Sequence, residues 1–319
     1  MGLKLKRWLI IAAGLVLTGC VVFGGVLMAT QGDFSKLSAT KYETNTYSIQ
    51  ENYENIKILA DTADISFVPS QDSVVTCYGP KNEEYTVSVE DGTLTVALEK
   101  SKKWYDYIGI YSSKPKITLA IPQGEYGALT VKCSTGDLEL PKEYSFAGVD
   151  VKGSTGDVTG FASVSGSMVI KLSTGDIRLE NLSVGSLDLS VSTGKVTVKN
   201  VTCAEDAELN VTTGKAELLS LSCKNFTSEG ETGKLTMENV IATGKIDIER
   251  STGDVTFTKC DAAELEVETD TGDVTGSLLT DKIFFTETDT GRVEVPKSMT
   301  GGKSEISTDT GDIKITIAP

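Results

Sequence analysis

The sequence contains no histidine. That removes Ser-His-Asp triads, Cys-His dyads, His-ligated zinc and imidazole bases from the available chemistry. Carboxylate-only enzymes and Ser-Lys chemistry survive the exclusion. Positive charge is also in deficit, with 30 Lys and Arg against 45 Asp and Glu, a net charge of −15. Such a surface repels phosphate backbones, so nucleic acid is not an expected partner. Helix formers do not dominate. Val, Ile, Thr, Ser and Gly recur instead, which points to strands and turns. The 319 residues leave room for one large domain or two ordinary ones.

One uncharged run stands apart, Trp8 to Ala29, 22 residues long. It is long enough to cross a bilayer as a helix. Lys4, Lys6 and Arg7 precede it, and the next charge after it is Asp33. The positive-inside rule puts residues 1–7 in the cytoplasm and everything after about residue 30 outside. The expectation is a single-pass cell-membrane protein with an uncleaved helix at 8–29 and a linker at 30–44. Leu17-Thr18-Gly19-Cys20 offers an alternative, a lipobox with lipid on Cys20. Val21-Val22-Phe23 continue the apolar run, however, where a cleaved lipoprotein turns polar. Either anchor tethers the rest to the outer face.

A Thr-Gly pair then returns along the chain. Its glycines are Gly136, Gly156, Gly175, Gly194, Gly214, Gly233, Gly253, Gly272, Gly291 and Gly311, at intervals of 19 or 20. Apolar residues flank each turn at spacing two. Leu138 and Leu140 follow Gly136, and Leu129 and Val131 precede it; Val255 and Phe257 follow Gly253, and Ile246 and Ile248 precede it. Spacing of two marks strands with one face inward. A period near 20 suits one coil of a two-sided β-solenoid. Coils stack at about 4.8 Å, so ten make a rod of about 48 Å. No coil buries its own apolar face, so stability comes from neighbour stacking. The expected fold is all-β: about ten coils over residues 128–319, preceded by a β cap.

Ile56, Ile58, Ile65 and Phe67 repeat the same phase around Thr62-Ala63-Asp64. Residues 45–68 therefore read as an early coil, and 70–116 as an inserted cap with a hairpin around Asp91-Gly92. Residues 45–127 form one unit on this reading. Within it, Trp104, Tyr105, Tyr107 and Tyr111 are either a partner patch for protein or glycan or a cover for the rod end.

Stacking aligns equivalent residues into columns. The residue after each glycine is Asp in six coils and Lys or Arg in four. Stacked like charges repel, so the acidic turns invite a cation. Asp270, Asp273, Asp289, Asp309 and Asp312 are weak calcium candidates, and a solvated turn ladder is the plainer reading. Cys203 and Cys223 each lie nine residues after a repeat glycine. They fall within disulfide range on adjacent coils, and two free thiols fit the same place. No catalytic residue or cofactor site is expected. The last strand, Ile313 to Ile317, is expected to close the rod and to leave an edge for weak self-association.

The turns Ser134-Thr135-Gly136-Asp137, Ser154-Thr155-Gly156-Asp157, Ser173-Thr174-Gly175-Asp176 and Ser251-Thr252-Gly253-Asp254 carry a resemblance. They resemble those of a bacterial family of β-strand-repeat, adhesin-like proteins of unknown function (DUF4097-like). The similarity runs from Lys4 to Pro319, and the middle coils depart from it with Lys in place of Asp. The resemblance implies a non-enzymatic surface module. Two other classes stand beside it: an accessory subunit of an envelope-stress or signalling complex, and a carboxylate-based glycan enzyme. The enzyme would need paired acids in a groove, and the repeated acids fall at turns.

Overall fold

The computed structural model describes residues 3–30, 41–81, 83–99 and 113–319. Helix Leu3–Thr30 comes first. Its apolar part, Ile11–Ala29, is long and apolar enough to cross a membrane. Among the described residues every later element is a strand.

The strands wind into a parallel β-solenoid. Residues seven and five before each glycine, and two and four after it, point inward. Leu129, Val131, Leu138 and Leu140 show the pattern, each at most 4% exposed. Full burial of such a side chain stabilises by about 1.5–3 kcal/mol, and every rung adds several. At nine of the ten Thr-Gly turns, all but that of Gly291, the glycine adopts φ of 137–158°. A Cβ at Gly175 would collide with the carbonyl oxygen of Gly156 one rung below. Glycine is therefore required twice over, for the dihedral and for the close stacking.

The two expected sides are joined by a short third one. Six residues after the glycine, Asn181, Asn200, Ser220, Asn239 and Lys259 adopt positive φ of 52–60°. This left-handed residue turns the chain and points Val201 and Cys203, then Leu221 and Cys223, into the core. Asn tolerates that region better than most residues. Asn200 Nδ2 donates to Asn181 Oδ1 at 2.8 Å across the corner.

The order of stacking differs from the order of the chain at both ends. The early coil begins at Asn55, not at residue 45, and is not outermost. Asn55–Thr62 lies between Thr93–Leu98 and Gly124–Thr135, and Asp64–Pro69 lies between Lys116–Ile121 and Leu138–Leu140. The residues read as an inserted cap thus supply a rung of their own. The expected hairpin is present, Tyr85–Glu90 against Thr93–Leu98. Tyr42–Ile49 pairs antiparallel with Ser73–Pro80, which pairs with Lys116–Ile121.

The far end repeats the device. Gly302–Thr310 lies between Glu264–Thr271 and Lys282–Thr290. Ile313–Ile317 lies between Val274–Leu278 and Val293–Glu294. The last coil in the chain is therefore the second in the stack, and the expectation that Ile313–Ile317 forms the open edge is corrected. That edge is Lys282–Thr290. The reason is packing: the inserted coil brings Ile306, Ile313 and Ile315, each at most 2% exposed, whereas the outer coil turns Thr286 and Thr288 inward and meets Pro296 after a two-residue strand. Ten rungs carry the Thr-Gly turn and two precede them. We number the twelve from the N-terminal end of the stack.

Candidate functional site

The Thr-Gly turns form one edge of the rod, and their aspartates form a directed hydrogen-bond ladder. Asp64 Oδ1 accepts the backbone N–H of Asp137 at 3.0 Å. Asp137 accepts that of Asp157 at 2.9 Å, Asp157 that of Asp176 at 2.8 Å, and Asp176 that of Lys195 at 2.8 Å. The ladder lapses through Lys195, Lys215 and Lys234, which carry no acceptor. It resumes from Asp254 to Asp273 to Asp312 and ends on Arg292 N–H at 2.8 Å. Each carboxylate thus closes the next rung's turn, and charge assistance strengthens the bond.

Asp273 and Asp312, two of the calcium candidates, belong to this ladder. Asp270, Asp309 and Asp289 align beside it in exposed positions, through the pairings of Thr271 with Thr310 and of Thr288 with Thr308. No group of three or more carboxylates or thiols is placed to hold a metal among the described residues. Trp104, Tyr105, Tyr107 and Tyr111 lie outside the described residues.

Cys203 and Cys223 sit in adjacent rungs, one residue beyond the Thr202–Ser222 pair. Both thiols are buried and free in this structure. Cys203 Sγ donates to backbone oxygens of Gly185 and Asp206 at 3.5 and 3.3 Å. Burial raises the Cys203 thiol and pushes Cys223 up to about 12, which keeps both protonated and unreactive at neutral pH.

Two buried cations escaped the sequence reading. Arg250, 2% exposed, lies over Gly230 and donates to Ser228 Oγ at 2.7 Å. Desolvation by burial brings its guanidinium down to about 10. The signal was present as a Gly and an Arg at the same phase of consecutive repeats. Lys282, 2% exposed, reaches Asp261 at 2.7 Å and the hydroxyl of Thr280. The bridge spans the place where Gly301 and Gly302 thread the last coil into the stack; a Cβ on either would strike the backbone of Asp281 or Ala263.

Grooves are shallow. One of about 480 Å³ runs along the second turn, lined by Tyr126, Ser145, Phe146, Ser163 and Ser183. Another of about 600 Å³ borders the ladder, with Asp137, Glu139, Lys116 and Arg178 at its rim.

These features define a class, a capped parallel β-solenoid with one N-terminal apolar helix. The chain belongs to the Toastrack DUF4097 family, whose profile matches residues 53–316. Three solved structures are similar. A putative adhesin from Bacteroides fragilis is 18% identical at TM-score 0.45, with 88% of this chain and 99% of that one covered. A putative lipid binding protein from Parabacteroides distasonis is 18% identical at 0.44, covering 74% and 98%. A putative adhesin from Parabacteroides merdae is 12% identical at 0.43, covering 88% and 98%. No curated protein matches.

Proposed function

We propose that the chain is a membrane-tethered rod on the outer face of the cell, acting by presenting its surface to a protein or glycan rather than by catalysis. One observation carries the reading: a single apolar helix precedes a rod whose repeated acids are committed to its own backbone. Those carboxylates hold turns together, which gives them a task other than acid–base work. Lys4, Lys6 and Arg7, in the first turns of the helix and ahead of its apolar part, support an inward N-terminus. The helix continues ten residues past Cys20, to Thr30, which favours an uncleaved anchor over a lipidated Cys20.

The test combines protease shaving of intact cells with mass spectrometry of the mature protein. Rod peptides released from intact cells, together with an unmodified N-terminal peptide, are the expected result. Rod peptides released only after lysis would overturn the orientation, and diacylglycerol on Cys20 would replace the helix anchor with a lipid.

A further inference from the structure

Along the outward face of the sheet formed by the first strand of each rung, one column of side chains inverts its charge. It reads Lys132, Lys152 and Lys171 in rungs 3 to 5, Ser190 and Asn210 in rungs 6 and 7, and Glu229, Glu249 and Glu268 in rungs 8 to 10. All six charged residues are exposed. The sign changes between rungs 6 and 7, which is also the middle of the twelve-rung stack.

A two-fold axis along the strands at that midpoint lays one rod against another, end for end. Rung 3 then meets rung 10, rung 4 meets rung 9, and rung 5 meets rung 8. Lys132 faces Glu268 of the second copy, Lys152 faces Glu249 and Lys171 faces Glu229, and the symmetry makes each contact twice. In the neighbouring outward column, Lys57 of rung 2 faces Glu305 of rung 11.

Acids that meet acids in that column are partly neutralised within their own chain. Asp150 holds Lys152 at 3.1 Å, Asp188 holds Lys171 at 2.8 Å and Asp247 holds Lys245 at 2.7 Å. Asp188 opposite Glu208 is the contact that costs. Glu229, Glu249 and Glu268 have no ion pair among the described residues; Glu229 accepts Asn210 Nδ2 at 3.5 Å, which leaves its charge available to a partner. A face of twelve rungs by about six residues of strand offers about 1,100 Å² per copy, above the roughly 800 Å² of a standard interface. Facing strands run aligned, a normal way for two sheets to pack.

We propose that this face pairs with the same face of a second copy, antiparallel and in full overlap. The partner is another molecule of this chain. Resting on the reading of the chain as an anchored surface rod, the pairing sends the two N-terminal ends in opposite directions. That is the arrangement of a contact between two membranes.

Salt separates this pairing from generic association. Two chains of net charge −15 repel overall, so association through apolar surface strengthens as salt rises. Pairing by matched columns weakens instead.

The test is sedimentation of the full-length chain in mild detergent, at low salt and at about 0.5 M salt. Three chains are compared: the wild type, the triple variant Lys132→Glu, Lys152→Glu, Lys171→Glu, and the triple variant Glu229→Lys, Glu249→Lys, Glu268→Lys. The wild type is expected to dimerise at low salt and to lose roughly tenfold or more in affinity at high salt. Each variant alone is expected to be monomeric, and their equimolar mixture to give a mixed dimer. Unchanged melting curves show that the variants fold, and the mixed dimer cannot arise from unfolding or from the helix. A monomeric wild type, variants that dimerise alone, or a mixture that stays monomeric would each overturn the pairing. None of these results touches the shaving experiment, so the two readings fail separately. Vesicles carrying the wild-type chain are expected to cluster at low salt and disperse at high salt; a soluble dimer without clustering would remove the contact between membranes.

Discussion

The two ends of the rod solve one problem by different means. Both seat a terminal coil of the repeat in second place and cover it with a coil from the interior of the sequence. Beyond that cover they diverge. The N-terminal end continues into antiparallel strands sealed by aromatic rings. Tyr47 donates to the Tyr85 carbonyl at 2.9 Å, Tyr42 stacks on Tyr78 at 5.4 Å, and Tyr85 is buried. The C-terminal end stops at Lys282–Thr290, with Ile283, Phe285 and Val293 exposed and Met299 93% exposed. A parallel stack presents the same unpaired backbone at either end. Antiparallel strands can close it within the chain, whereas an exposed parallel edge stays available for pairing.

The largest expected effects come from the second-place rungs. Ile58→Ala at one end and Ile306→Ala at the other are each expected to cost about 2–5 kcal/mol, read from urea unfolding. Thr286→Ala in the outermost rung is expected to cost less than about 0.5 kcal/mol. An Ile306→Ala cost as small as that of Thr286→Ala would put the last coil back at the edge.

Alkali should separate the ends. Burial pushes Cys77 up to about 12 and raises Tyr85 and Tyr126, all in the N-terminal part. The unfolded thiol ionises near 9.0. The stability from burying it neutral is therefore complete below that pH and is lost as pH climbs toward 12. Arg250, toward the other end, acts in reverse. It gives up its proton near 10 when folded, well below the ordinary guanidinium range it keeps when unfolded, so its contribution grows as pH rises past 10. Proteolysis from pH 9 to 11 is expected to cut first in residues 41–99, and Cys77→Ala to lessen that sensitivity. Cuts beginning in 282–317 would contradict the comparison.

A smaller effect belongs to the threading point. Lys282→Met leaves Asp261 without its cation and is expected to cost about 1–3 kcal/mol, with new cleavage near residues 279–301. Unchanged cleavage there would mean that Gly301 and Gly302 hold the crossing unaided. Smallest is the ladder. Asp157→Ala removes one acceptor for about 0.5–1.5 kcal/mol, while Asp157→Asn keeps Oδ1, loses only the charge assistance and is expected to cost less than Asp157→Ala by thermal melting. Equal losses would make charge, rather than the hydrogen bond, the ladder's contribution.

The repeat was legible because a parallel coil writes its own length into the chain. Thr-Gly and the apolar pairs around it predicted the rungs and their inward faces. The stacking order was not legible. Gly272 to Gly291 is 19 residues and Gly291 to Gly311 is 20, as in coils that stack in sequence, and spacing says nothing of which coil settles where. Thr286, Thr288 and Pro296 were the marks of an outer coil. The acidic column was visible, but its purpose was not, because a hydrogen bond to the next rung's amide depends on backbone direction. Arg250 was hidden by the inward column three residues before each glycine, which joins the core only because the turn is tight.

The intercalated last coil bears on how the rod is made. A simple solenoid can grow like a zipper, each coil settling on its predecessor as the ribosome delivers it. Here Asp312 finds its ladder partner Asp273 39 positions back, across a coil already synthesised. Residues 282–294 emerge before the neighbour they finally rest on. Assembly at this end is therefore non-local and slower than along the middle, and the outer rung reaches its seat only once residues 302–317 have left the ribosome.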